Sequence, residues 1–128
     1  MTLKEIKDYF KETFGWTEKI STGKIDNNVE KAICFYNSNR GSYQGIIGGK
    51  TNKTTNIKPI TILLRYTKNQ NTAEIKAQEI YDFFLERSFF IENKRVFAIM
   101  RSPEPISLGT DDNNIYEYSL ELDLYIEI

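Results

Sequence analysis

The stretch IYEYSLELDLYIEI, from Ile115 to Ile128, alternates apolar and polar side chains almost without a break. Because successive side chains of a strand point to opposite faces, this alternation predicts one long β-strand. The even-numbered residues would form its apolar face, and the odd-numbered face would be acidic. Such a strand spans roughly 46 Å at about 3.3 Å per residue, and it is typical of a sheet with one wet face.

Two helices are predicted upstream of this strand. The sequence Thr2-Leu-Lys-Glu5 matches a capping box, and apolar residues at helical spacing follow it as far as Gly15. We therefore expect an amphipathic helix over residues 2–14. Asn71 is expected to cap a second helix, with Glu74 at its third position, that runs to about Ser88.

The remaining regular elements are predicted to be strands. They are Trp16–Ile20, Lys31–Tyr36, Ile57–Tyr66 and Lys94–Arg101. Ile57–Tyr66 is apolar on both faces, which favours a central strand, and residues 37–56 are expected to form a glycine-rich loop. The elements together predict an α+β fold, a mostly antiparallel β-sheet flanked by two helices, in a single domain over residues 1–128.

Charge is segregated along the chain. Residues 1–101 carry all 17 bases and 11 acids, whereas residues 102–128 carry seven acids and no base. Between Glu30 and Glu74 there are seven bases and no acid. Like charges along one strand face repel each other unless bases lie opposite them. The basic segment could supply those bases, from the neighbouring strand or from a neighbouring subunit.

Several kinds of catalytic and metal site are excluded or disfavoured. The chain has no histidine and one cysteine, Cys34, whose apolar surroundings indicate a buried core residue in a reducing compartment. Asp111-Asp112-Asn113-Asn114 lacks the spacing of a calcium loop and is typical of a turn. We expect no enzyme activity, no cofactor and no metal.

A nucleotide site and a membrane location are also disfavoured. The run that begins at Gly45, GIIGGKT, has one residue too few before its Gly-Lys-Thr to match a phosphate loop, and no helix pattern follows it. No apolar run approaches the length that crosses a bilayer, and the N-terminus lacks a secretory pattern. We therefore expect an unsecreted protein without a membrane partner.

Nucleic-acid binding is an open alternative. The basic segment is interleaved with aromatic residues, a combination that suits single strands. The acidic overall pI of about 5.6 and the absence of a recognised binding signature argue against it.

Two stretches resemble a known family. ILLRYTKN at residues 62–69 and PISLGTDDNNIYEYS at 105–119 are similar to small minor capsid proteins of tailed phages and prophages of Gram-positive bacteria, which resemble the tail-terminator (tail-completion) family. The order of predicted elements is similar across most of the chain. The resemblance implies an α+β virion protein that caps the tail tube, ends its polymerisation and helps to join tail to head. A neck or head–tail connector adaptor is the alternative of the same class.

The resemblance also implies partners. These are further copies of the chain in a ring, a hexamer once assembled, together with the tail tube protein and the head–tail connector protein. No specific nucleic acid is implied, although genomic DNA would pass through the ring. The location implied is the head–tail junction of the virion, after assembly in the bacterial host cytoplasm.

Charged residues in the basic and acidic segments are the expected contacts with these partners, because a ring joins two different faces of its subunits. They are Arg40, Lys50, Lys53, Lys58, Arg65, Asp111, Asp112, Glu117, Glu121 and Asp123. The acids could instead line a channel through which DNA slides.

Overall fold

The computed structural model of the protein describes residues 1–38 and 55–127. Its helices are α1 (Leu3–Phe10), which continues into a π-helical turn (Lys11–Gly15), and α2 (Gln70–Phe84). The strands are β1 (Lys19–Thr22), β2 (Lys31–Asn37), β3 (Thr55–Tyr66), β4 (Ser88–Ile91), β5 (Lys94–Met100), β6 (Ile106–Thr110) and β7 (Tyr116–Glu127). This is the predicted α+β fold.

The strands form one mixed, mostly antiparallel sheet in the order β1-β2-β3-β7-β5-β4. Only β1 and β2 are parallel among the described pairs. The long strand β7 pairs along one edge with β3, and along its other edge with β6 near its start and β5 near its end. Both β3 and β7 are therefore central strands.

Both helices cover the same face of the sheet. Ile6 and Phe10 of α1 and Ala77 and Phe84 of α2 are fully buried there, against apolar residues of β2, β3, β5 and β7. The rings of Phe10 and Phe84 stack with their centroids 5.6 Å apart. The even-numbered residues of β7 contribute to this core, as the alternation predicts.

The start of the first helix is confirmed. The Thr2 hydroxyl accepts from the Glu5 amide and the Glu5 carboxylate accepts from the Thr2 amide, which completes the capping box. The first strand, however, begins at Lys19 rather than Trp16, because the chain turns at Gly15, whose φ is +84°. Trp16 instead packs into the core and donates its indole N–H to the Lys19 carbonyl.

The second helix begins and ends earlier in the sequence than predicted. Its N-cap is Asn69 rather than Asn71, and the Asn69 side chain accepts from the Thr72 amide at 3.0 Å. Its last residue is Phe84 rather than Ser88, because the backbone reverses at Glu86, where φ is +51°. The sequence reading also missed two strands, β4 and β6. The predicted loop falls mostly on residues 39–54, outside the described residues.

Candidate interaction surface

The sheet face opposite the helices carries the predicted acidic row. Glu117, Glu121 and Asp123 of β7 point to this face, as does Tyr125. The loop between β1 and β2 covers part of the same face, where Ile25 packs with the buried side chains of Ala32 and Cys34 in a second, small apolar cluster. The far half of the face, towards β4, has no helix over it in the described part of the chain.

The neighbouring strand supplies one base to the acidic row. Arg65 of β3 lies directly opposite Glu117, whereas Thr61 lies opposite Glu121 and Pro59 lies opposite Asp123. Lys58 lies opposite Leu124 and therefore faces the helix side. The expectation that the basic segment balances the row from an adjacent strand holds for Arg65 alone within the described residues.

Arg65 joins three segments of the chain. Its side chain is only 1% exposed, and its Nη2 lies 2.7 Å from Asp111 Oδ2 in the turn between β6 and β7. The same Nη2 donates to the Asn27 carbonyl at 3.1 Å, in the loop between β1 and β2. Its Nε and Nη1 are buried without a hydrogen-bond partner among the described residues. Arg65 thus fixes a loop and a turn against the sheet.

Asp111 is held in place by its own turn. Its Oδ1 accepts from the amides of Asn113 and Ile115, at 2.9 and 3.0 Å. These backbone hydrogen bonds, with the nearby charge of Arg65, hold the pKa of Asp111 below its ordinary value. The turn is the one that the Asp-Asp-Asn-Asn sequence predicts, and its aspartate remains ionised to meet Arg65.

Glu117 has the opposite electrostatic situation. Burial raises the pKa of Glu117, the nearby charge of Asp111 raises it further, and Arg65 partly offsets both effects. The two carboxyl groups therefore compete for one buried guanidinium, and Asp111 forms the direct ion pair.

Asp123 forms an ion pair with an arginine that directly follows strand β5. Arg101, directly after β5, places its Nη1 2.8 Å from Asp123 Oδ2. This pairing could not be read from the basic segment, because Arg101 lies outside it. The register that places Ile99 opposite Asp123 brings the arginine within reach.

The half of the face towards β4 also carries a contiguous group of exposed or partly exposed, largely apolar side chains, which we call the sheet patch. The register aligns Ile57, Tyr125 and Phe97 in one row across β3, β7 and β5, with Ile99 and Phe90 beside it. Phe90 is 60% exposed, and Ile57, Phe97 and Ile99 are each about two-fifths exposed. Arg95 lies over the Phe90 ring, 5.6 Å from its centroid. Exposed apolar groups clustered in this way mark interaction surfaces.

The predicted contact residues are distributed unevenly. Asp112 is exposed in its turn, Lys58 and Glu121 are partly buried, and Asp123 and Arg65 are buried. The Thr61 hydroxyl donates to Glu121 at 3.3 Å. Arg40, Lys50 and Lys53 lie outside the described residues. Contact of any of the ten with a partner remains a prediction.

Sequence reasoning missed the sheet patch entirely. Its members come from four strands, and one of those strands, β4, was not predicted. The available signal was the alternation in SFFI and RVFAIM, in which Phe90, Phe97 and Ile99 occupy the face opposite the core positions Phe89, Val96 and Ala98.

Other kinds of site find no support in the described ranges. No group of three or more histidine, cysteine, aspartate or glutamate side chains there could hold a metal ion. Within those ranges no helix has the length and apolar character needed to cross a bilayer.

A comparison with known families finds a match over most of the chain. The model of a family described as bacteriophage tail terminator protein matches residues 13–128. No curated protein matches the chain.

Proposed function

Because the chain belongs to the bacteriophage tail terminator family, we propose that it caps the tail tube, ends the polymerisation of that tube and helps to join the tail to the head. The family is one of structural phage tail proteins, which places the chain in the virion among other tail and head proteins. The finer steps, capping and joining, are our proposal. The family match over nearly the whole chain is the observation that carries it.

The proposed working form is a ring of identical subunits, a hexamer, at the head–tail junction. One side of the ring would meet the tail tube protein and the other the head–tail connector protein, with genomic DNA passing through the centre. Residues 1–128 would act as one domain. The protein would be a minor capsid component of a phage or prophage of a Gram-positive bacterium. Assembly would take place in the host cytoplasm, without a cofactor.

The polar contacts of the proposed ring would involve the accessible charged residues. Asp112 is exposed at the tip of its turn, and Lys58 keeps part of its side chain in solvent. Arg40, Lys50 and Lys53, which lie outside the described residues, are proposed as contacts as well. Arg65 and Asp111 would contribute indirectly, by fixing the loop and turn that present such contacts, and Glu117, Glu121 and Asp123 belong to the proposed set on the acidic row.

Deletion of the gene from its phage or prophage tests this function. Negative-stain microscopy of the induced lysate would measure tail length and head attachment. We expect tails of variable, excessive length beside unattached heads, with normal particles restored by the wild-type gene supplied in trans.

The other outcomes identify other functions. Tails of normal length that fail to join heads would replace the terminator role with that of a neck or connector adaptor. Intact infectious particles would refute a role in virion assembly, and nucleic-acid binding would then be measured directly. Such binding would weaken steeply with salt concentration, because bound cations are released from the phosphates.

A further inference from the structure

We propose that the sheet patch of one copy of this protein packs against the outer side of helix α2 of a second copy. The inference rests on the proposed ring and names the two surfaces that would form its subunit contact. The sheet patch comprises Ile57, Phe90, Phe97, Ile99 and Tyr125, with Arg95 beside them.

The outer side of α2 also carries exposed apolar groups. Ile75 is 51% exposed, and Leu85, directly after the last turn, is 47% exposed. Ile75 projects opposite the buried stripe of Ala73, Ala77 and Ile80, since helix positions repeat every 3.6 residues. The helix therefore buries one side in its own core and leaves apolar groups on the side that faces away from the sheet.

The charges of the two surfaces are complementary. Glu74, Glu79 and Asp82 are exposed along α2, and its one base, Lys76, forms an ion pair with Glu79. Asp82 accepts from the Gln78 amide and has no basic partner in the part of the chain that the structure describes. The outer side of this helix is therefore acidic around its apolar residues.

The sheet patch offers the opposite sign. Arg95 is exposed over Phe90 and forms no ion pair with any residue of 1–38 or 55–127. The neighbouring Asp123 is already balanced by Arg101. Glu127 lies one step beyond the pair Val96–Ile126, and hence beside Arg95, but it forms no ion pair with Arg95 in the structure. Aromatic residues and arginine are the types enriched at protein interfaces. The carboxylates of an acidic helix could pair with the Arg95 guanidinium.

The positions of the two surfaces favour a contact that repeats in one direction. Helix α2 covers one face of the sheet and the patch lies on the opposite face. A patch-to-helix contact is heterologous, and copies joined by it close into a ring when the rotation per subunit permits.

Cysteine crosslinking tests this contact in assembled tails. The variants Ile75→Cys and Ile99→Cys replace exposed side chains, and the natural Cys34 is fully buried, so only the introduced thiols should react with a short bismaleimide. Each variant alone should stay monomeric on a denaturing gel. The two supplied together should give a crosslinked dimer, and a double variant should give a ladder up to the size of the ring.

Other crosslinking patterns would overturn the proposal. A dimer from Ile99→Cys alone would indicate a symmetric sheet contact, and a crosslink to a different tail protein would assign the patch to that protein. No crosslink in particles with normal tails would also refute it. That result would leave the terminator function intact, because the deletion experiment measures that function separately.

An interface substitution with a matched control gives a second measurement. Ile99→Glu should lower the yield of infectious particles by about ten-fold or more, the scale expected for a central interface residue. Leu108→Glu serves as the control, because Leu108 is also exposed but lies on β6, outside the patch. Equal losses from both variants, or no loss from Ile99→Glu, would refute the proposed contact.

Discussion

Replacing Arg65 should separate the cost of losing its ion pair from the cost of losing its volume. In Arg65→Ala both the contact with Asp111 and the hydrogen bond to the Asn27 carbonyl disappear, and a cavity is left at a side chain that is 1% exposed. Removing one partner of a buried pair costs about 3–5 kcal/mol, and Asp111 keeps its backbone hydrogen bonds, so we expect a loss near 3 kcal/mol.

Arg65→Met should cost much less. Methionine refills most of the volume and removes the buried Nε and Nη1, which have no hydrogen-bond partner among the described residues. It leaves Asp111 without its cation just as Arg65→Ala does, but it avoids the cavity, so we expect its loss to be smaller by about 2 kcal/mol. Asp111→Asn should destabilise more than Arg65→Met, because it leaves the buried guanidinium without its carboxylate.

Urea unfolding followed by the fluorescence of Trp16 measures these differences, since this single tryptophan is 5% exposed in the native core. The unfolding slope should be unchanged in all three variants. If Arg65→Met destabilises as much as Arg65→Ala, the guanidinium contacts rather than packing dominate, and our reasoning from burial is refuted. If Arg65→Ala is neutral, the junction has no role in stability.

Three further predictions follow from the structure. Because burial raises the pKa of Glu117, protonation of this carboxyl group stabilises the folded state. This contribution to stability is fully present below the ordinary pKa of 4.5 and is lost as the pH rises through the folded-state pKa. Glu117→Gln should therefore shift the urea midpoint upwards increasingly from about pH 4 to pH 7, whereas a constant difference would contradict this. Gly109→Ala should lower stability by about 1 kcal/mol, because φ is +82° at the bulge of β6 while the space for a Cβ is open, and a neutral result in thermal unfolding would refute that strain. Asn69→Ala should cost about 1 kcal/mol in urea unfolding and Asn71→Ala much less, and the reverse order would favour the cap that the sequence predicted.

The elements that sequence predicted best are those whose signals are local. The capping box of Thr2 and the alternation of β7 each depend on neighbouring residues, and both are found in the structure. The prediction of Asn71 rather than Asn69 as the cap was wrong because both residues are of a type that caps helices, so residue type alone does not choose between them. Strand β6 was missed because all five of its residues are exposed, so it has no buried alternation to detect.

The contacts of the acidic row illustrate a second limit. That a base should lie opposite an acid follows from electrostatics, but the partner depends on strand order and register. Arg65 meets Glu117 because β3 and β7 are adjacent, and Asp123 meets Arg101 because β5 lies on the other side of β7. Neither neighbour is encoded in the pattern of a single strand.

These internal pairings change how the charge segregation of the chain is interpreted. From the sequence, the bases that balance the acidic strand could lie on the neighbouring strand or on a neighbouring subunit. In the structure Arg65 and Arg101 neutralise Asp111 and Asp123 within one chain. One carboxylate of the acidic strand, that of Asp123, is therefore already balanced before assembly. The exposed apolar side chains of the sheet patch lie outside both apolar clusters of the described residues. They contribute to stability only when another surface covers them. The outer side of α2 is the surface that we propose, because it carries exposed apolar groups and acidic side chains.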